Sequence, residues 1–302
     1  MTDAVDICVG LQTPETVALR PAWAKDFFSR AFRASGDAVH GSDLSDYVAV
    51  MDEAGVDVSI LFSPKAGPRG EVTSYRPDRR IVADAVARHP DRFRGIVGID
   101  PTRPMEAIAE IRDAVAEGFV GVHLYPHWFD LAPDDALWYP IYATCAELDI
   151  PIQLQVGHCL RYTADKPLRS VGRPITLDTV ACHFPELVLV GIHTGWPWTQ
   201  EMVAVAYKHP NVYIGLDAYA PAYLDPALVH FMNTFGRDKV MWGTDYPTLD
   251  PRRSLRELGE LGLRPESLAQ VRSGNARRVY RLPEAVVSPA PAPAPAPAPD
   301  ER

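Results

Sequence analysis

Short apolar runs alternate with amphipathic stretches along most of the chain. The runs are Val5–Val9, Val56–Phe62, Phe93–Ile99, Val120–Leu124, Ile150–Val156, Leu187–Ile192, Val212–Leu216 and Val240–Gly243. Their length and apolar continuity predict strands buried on both faces. Between them, helical spacing predicts helices near Leu44–Ala54, Asp78–His89, Met105–Glu117, Trp138–Leu148, Leu177–His183, Gln200–Lys208, Ala227–Phe235 and Arg253–Leu261. Strands that are each followed by a helix predict an α/β fold, a closed (β/α)8 TIM barrel rather than an open doubly wound sheet. No glycine-rich dinucleotide fingerprint follows any of the runs.

Two insertions break the spacing. Leu11–Gly41 follows the first strand and carries Trp23, Phe27, Phe28 and Phe32; Gly157–Pro174 follows the fifth and carries His158, Arg161, Lys166, Arg169 and Arg173. A segment that leaves the C-terminal end of a barrel strand lies on the catalytic face, so both are expected to wall a substrate site. Alternating Pro and Ala close the sequence. The pattern predicts a barrel domain over residues 1–283 and a solvated, PPII-like tail over 284–302.

The apolar fraction of 47% is ample for one large core, and the net charge of −9 argues against nucleic-acid or membrane partners. No run approaches a membrane span, and the acidic N-terminus lacks a signal-peptide pattern. The scattered Cys8, Cys145, Cys159 and Cys182 form no CxxC pair. A cytoplasmic enzyme of a small molecule, with a homodimer left open, is the expectation.

The chemistry concentrates at strand ends. WGTDYP (Trp242–Pro247) puts Asp245 just beyond the eighth strand, where a barrel places catalytic groups. The competing reading of Asp245 is a cap for the next helix or turn. His193 follows the sixth strand and faces the same mouth. The pair could bind a divalent metal or share proton transfer without one. A zinc site needs a third protein ligand. Cys8 offers a thiolate, whereas Gly10 has no side chain and Gln155 is a neutral amide. The ligand set for zinc is thus incomplete, and the alternative is no cofactor.

His158 is a third catalytic candidate. Period two places His123 and Tyr125 on one face of the fourth strand, and both contact substrate if that face meets the mouth. Gln155 and Trp196 are further substrate contacts, and Arg161 and Arg173 are candidates to clamp a carboxylate. His40, His89, His183, His209 and His230 are read as structural.

Phe184–Pro221, FGRDKVMWGTDYP (Phe235–Pro247), GNARRVYRL (Gly274–Leu282) and HPDRFRGIVGIDP (His89–Pro101) together resemble the amidohydrolase-related family. The likeness is to its aminocarboxymuconate-semialdehyde decarboxylase-like branch within the amidohydrolase superfamily, which also holds hydrolases of aromatic-acid degradation. It covers nearly all of Val5–Leu282. It implies a (β/α)8 barrel that cleaves a carbon–carbon or carbon–oxygen bond of a small carboxylated or phenolic substrate. By motif, His193 matches the family histidine that binds metal or catalyses, and Asp245 the aspartate that ligates metal and relays the proton. The family's strand-one His-x-His is Cys8 and Gly10 here, and its strand-five histidine is Gln155. These departures imply a centre poor in metal.

Three functions follow. The leading one is hydrolysis of a lactone, β-keto compound or similar small acid, with Asp245 as general base and His193 on the carbonyl oxygen. The second is decarboxylation of an aromatic or muconate-type acid, and the third a catalytically silent, ligand-binding barrel.

Overall fold

A computed structural model describes residues 3–31, 40–160 and 166–283. Eight strands form one parallel sheet in sequence order. They are β1 (Ala4–Gly10), β2 (Val56–Ser63), β3 (Phe93–Gly98), β4 (Gly121–Leu124), β5 (Ile152–Gln155), β6 (Leu189–Ile192), β7 (Val212–Gly215) and β8 (Val240–Met241). Each lies within or around its apolar run. The later strands are shorter than their runs because apolar residues go on packing after the ladder ends. Trp242, for example, is fully buried but donates its backbone N–H to Val271 O at 2.8 Å rather than to a neighbouring strand.

The sheet closes on itself by a thin seam. Ile7 N donates to Trp242 O at 3.4 Å and Gly10 N to Tyr246 O at 2.9 Å. Asp6 adds a side-chain staple: its carboxylate accepts from Thr244 N (3.0 Å), Thr244 Oγ1 (2.6 Å) and Cys8 N (3.2 Å). These contacts complete a (β/α)8 barrel.

One apolar cluster fills the barrel interior with Val5, Ile7, Val58, Ile60, Ile96, Val190, Ile192 and Met241, stoppered by Ala276, Val279, Tyr280 and Leu282. A larger cluster lies between strands and helices and includes Met51, Ile111, Trp138, Tyr142, Val180 and Leu228. The helices Pro226–Met232 and Pro251–Gly259 begin slightly earlier than their apolar spacing suggests. Asp225 and Asp250 cap them, and a proline at the first helical position has no N–H to leave unpaired. The insertion after β1 contains the helices Pro14–Ala18 and Ala22–Ala31. After β8 come Pro265–Ala269, a π-helical turn Gln270–Gly274 and Asn275–Tyr280, which apolar spacing did not predict. Among the described residues no helix is long and apolar enough to cross a membrane. Phe32, Arg161 and the Pro-Ala tail lie outside the described residues.

Candidate active site

Successive strand ends converge on one cluster. His193 follows β6, Asp217 lies two residues beyond β7 and Asp245 lies just past β8. The backbone is left-handed at His193 (φ 66°), Thr194 (φ 55°), Ala218 (φ 65°) and Asp245 (φ 52°). Non-glycine residues adopt this region at a cost, and its recurrence at three neighbouring strand ends marks a place where side-chain direction takes priority over backbone comfort.

The distances are short. His193 Nε2 is 3.3 Å from Asp217 Oδ2 and 4.0 Å from Asp245 Oδ2. Asp217 Oδ1 accepts from His193 N at 2.9 Å, which turns Oδ2 toward the imidazole. Asp245 Oδ2 accepts from Thr248 Oγ1 at 3.0 Å, while Oδ1 faces the Cys8 thiol at 3.8 Å. Cys8 and Asp217 are fully buried; the side chains of His193 and Asp245 keep 18% and 22% of their surface, which gives a substrate access to those two.

Burial governs the protonation of this cluster. It raises Asp245 well above the usual carboxylate range, and the Asp217 carboxylate adds to the rise. It raises the Cys8 thiol too, with Asp217, Asp245 and Asp6 contributing. Asp6 is pushed up to about 7, its hydrogen bonds offsetting part of the burial effect. His193 is lowered by burial, against the pull of Asp217, so the neutral imidazole is favoured.

The donors also suit a divalent ion. Single ligand atoms of Cys8, Asp217 and Asp245 all lie within 4.8 Å of one another. A tetrahedral ion with bonds of about 2.0–2.3 Å holds its donors roughly 3.3–3.8 Å apart; Cys8 Sγ lies 3.8 Å from Asp245 Oδ1, and His193 Nε2, a further donor outside that trio, lies 3.3 Å from Asp217 Oδ2. Asp217 Oδ2 and His193 Nε2 are buried with no hydrogen-bond partner among the described residues. The expectation of an incomplete set rested on the strand-one and strand-five positions; Asp217 is the donor it overlooked.

Asp245 and His193 open onto a cavity of about 190 Å³, walled by Trp23, Phe28, Phe62, Tyr75, Tyr125 and Trp128 among others. Gln155 and His158 line it as well. His158 Nδ1 is 2.7 Å from Ser170 Oγ, a contact that fixes the ring at the rim rather than in the acidic cluster. Among the described lining residues Arg20 is the only lysine or arginine. It is 8% exposed, donates to Gln12 Oε1 and lies 4.6 Å from the Phe28 ring centroid. His127 lines the cavity with Nδ1 unpartnered among the described residues, and burial lowers it to about 4.

Three expected substrate contacts are placed elsewhere. His123 does not reach the cavity. It is buried in the barrel between Phe62 (4.8 Å) and Tyr125 (4.6 Å), with Nδ1 3.2 Å from Gln153 Oε1, and burial lowers it to about 3. β4 ends at Leu124, so Tyr125 lies beyond the strand and reaches the mouth while His123 remains a layer below. Arg173 forks onto Glu201 and is absent from the lining. Trp196 also lies outside the lining; it backs His158 and Tyr219 at ring separations of 6.0 and 5.8 Å.

Sequence reasoning missed Asp217, Arg20 and His127. A signal for Asp217 was present: Gly215-Leu216-Asp217 repeats, one strand earlier, the Gly243-Thr244-Asp245 exit from β8. Arg20 and His127 sit on segments without periodicity, and only the folded insertion brings Arg20 over the mouth.

Comparison with known proteins places the chain in a family. The chain is 29% identical over 143 residues to 2-keto-4-carboxy-3-hexenedioate hydratase of Sphingobium sp., covering 41% of this chain and 42% of that one. It is 24% identical over 214 residues to 4-sulfomuconolactone hydrolase of Hydrogenophaga intermedia, covering 68% and 65%. A third relative is gamma-resorcylate decarboxylase of Polaromonas sp., 23% identical over 292 residues and covering 78% and 86%. The matches thus span under half of the first relative's length and just under two thirds of the second's. In three dimensions the protein superposes on an uncharacterized TIM-barrel protein of Bordetella bronchiseptica with a TM-score of 0.75 and 25% identity, covering 92% and 99% of the two chains. Residues 71–282 match the amidohydrolase family, and the chain belongs to it.

Proposed function

We propose that this protein hydrolyses a small, ring-bearing metabolite of lactone or β-keto type that carries a carboxylate or phenolate. The observation that carries the reading is the pairing of Asp245 and His193, 4.0 Å apart on the lining of an aromatic-walled cavity that also holds Arg20. Arg20 binds the anionic substituent, a task its planar fork suits. Ring faces such as Phe62 and Tyr125 hold the substrate ring. Asp245, when ionised, takes a proton from water as the water oxygen adds to the substrate carbonyl carbon. Its raised affinity for protons makes it a stronger base than an ordinary carboxylate. The neutral His193 imidazole donates to the carbonyl oxygen as charge develops there. Collapse of the adduct breaks the ring C–O bond, or the C–C bond of a β-keto substrate, and the Asp245 carboxyl returns its proton to the leaving atom. A divalent ion held by Asp217 and Asp245, with Cys8 and His193 beside them, would supply Lewis-acid polarisation.

Decarboxylation of an aromatic or muconate-type acid is the second reading. It is favoured by the same elevation of Asp245, which keeps a proton ready for delivery to a ring carbon. One experiment separates the readings: incubation with lactones and hydroxylated aromatic acids in ¹⁸O-water. Ring-opened acid carrying one ¹⁸O, without CO₂, is the expected result. CO₂ release with no ¹⁸O in the organic product establishes the carboxy-lyase instead. Tight binding of these acids with no turnover establishes a silent barrel.

A further inference from the structure

We propose that Cys8 is a thiolate ligand of a divalent-metal centre completed by Asp217 and Asp245, and that this sulfur makes the centre select zinc over manganese. Where the family resemblance implies histidines on strand one, this chain has a thiol and a bare glycine, so any ion held there meets sulfur.

The side chains are already turned for the task. Each carboxylate has one oxygen engaged from outside the cluster, Asp217 Oδ1 by His193 N and Asp245 Oδ2 by Thr248 Oγ1. Asp245 Oδ1 is left facing the Cys8 sulfur at 3.8 Å, and Asp217 Oδ2 is fully enclosed without a hydrogen-bond partner among the described residues. A buried carboxylate oxygen in that condition is costly, and a cation relieves it. Among the described residues, His193 is the only basic side chain within 4.0 Å of either carboxylate. No described lysine or arginine therefore competes for the position.

Binding is balanced as an exchange. The metal–sulfur bond replaces the Cys8 S–H bond, and the thiol proton leaves to solvent. Thiolate ligands favour zinc, whereas manganese prefers all-oxygen sets. This inference uses the site proposed for hydrolysis but not its chemistry. A protein that binds the ion through Cys8 and hydrolyses nothing sustains the one and refutes the other.

The test is cobalt(II) titration of the full chain in a Cys182→Ser background. That substitution silences Asp178, Cys182 and His209, a second group whose ligand atoms lie within 4.8 Å of one another. One equivalent of cobalt should bind with an intense near-ultraviolet sulfur-to-cobalt charge-transfer band. Zinc should abolish the band, and a tenfold excess of manganese should leave it. Cys8→Ser should remove the band while circular dichroism stays unchanged. If Cys8→Ser does not fold, Asp217→Asn serves in its place: the band should persist, with cobalt affinity weakened by about tenfold or more. Three outcomes overturn the proposal: cobalt bound without the band, a band that survives in folded Cys8→Ser, and no stoichiometric cobalt binding at all.

Discussion

At the scale of single residues, Asp245 carries the most specific expectation. It sits at φ 52°, a conformation that Asn tolerates nearly as well as Asp. Asp245→Asn therefore keeps the backbone and the Thr248 contact but removes the base. General acid–base assistance is worth about 10²–10⁴-fold, so kcat should fall by that order with KM and melting temperature little changed. A turn or cap role predicts the reverse, a loss of about 0.5–2 kcal/mol in stability with near-normal kcat. Kinetics and thermal melting of the same variant decide between them. His193 and Asp245 were legible because a polar residue directly after a buried run is conspicuous. The left-handed backbone that aims them was not, since nothing about the residue types His193 or Ala218 announces it. Arg173 illustrates the opposite error. Its position in a long mouth-side loop suggested a clamp, but Glu201 lies within reach and captures the guanidinium.

At the scale of elements, the seam between β8 and β1 rests on Asp6, and its stability should depend on pH. Burial raises Asp6 to about 7 in the folded protein, against roughly 3.9 in an unfolded chain. Between those values the folded state keeps a proton that the unfolded state has released. Raising the pH from about 4 to 7 therefore costs stability, at up to ~1.4 kcal/mol per pH unit, and below that window the group contributes nothing. Asp6→Asn removes the titration while preserving volume and an acceptor. The stability difference, variant minus parent, should move in the variant's favour as pH rises from 5 to 7, as denaturant melts can measure; a flat or opposite trend would show that Asp6 ionises normally. The strands themselves were easy to read, because residues buried on both faces leave uninterrupted apolar runs. The segments of 265–280 were hidden because a π-helical turn containing Gly274 breaks the helical period. The first helices of the insertion were signalled only by Thr13-Pro14, a cap followed by a proline.

At the scale of the whole molecule, the barrel separates chemistry from anchorage. The mouth holds the acidic cluster and the cavity, and the opposite end is closed by the last described turn. Tyr280 OH meets Gln153 Nε2 at 2.7 Å inside the barrel, and Leu282 is 8% exposed. Arg277 joins Asp57, at the start of β2, to the backbone oxygen of Pro283. Two truncations should therefore behave differently. A chain ended at Pro283 loses only residues outside the described fold, whose Pro-Ala repeat carries no large apolar side chain and cannot form a hydrogen-bonded ladder, and its Tm and kcat should match those of the full chain. A chain ended at Val279 loses Tyr280 and Leu282 from the stopper. Removing buried side chains of this size costs about 2–5 kcal/mol each. At about 2–4 °C per kcal/mol for a domain of this length, its Tm should fall by roughly 10 °C or more. Because Tyr280 and Leu282 belong neither to the cavity lining nor to the Cys8–Asp217–Asp245 group, kcat measured well below the melt should survive in both chains. Equal destabilisation by the two cuts would mean that residues 284–302 dock on the barrel; a loss of kcat in a folded, shortened chain would mean that the two ends of the barrel are coupled after all.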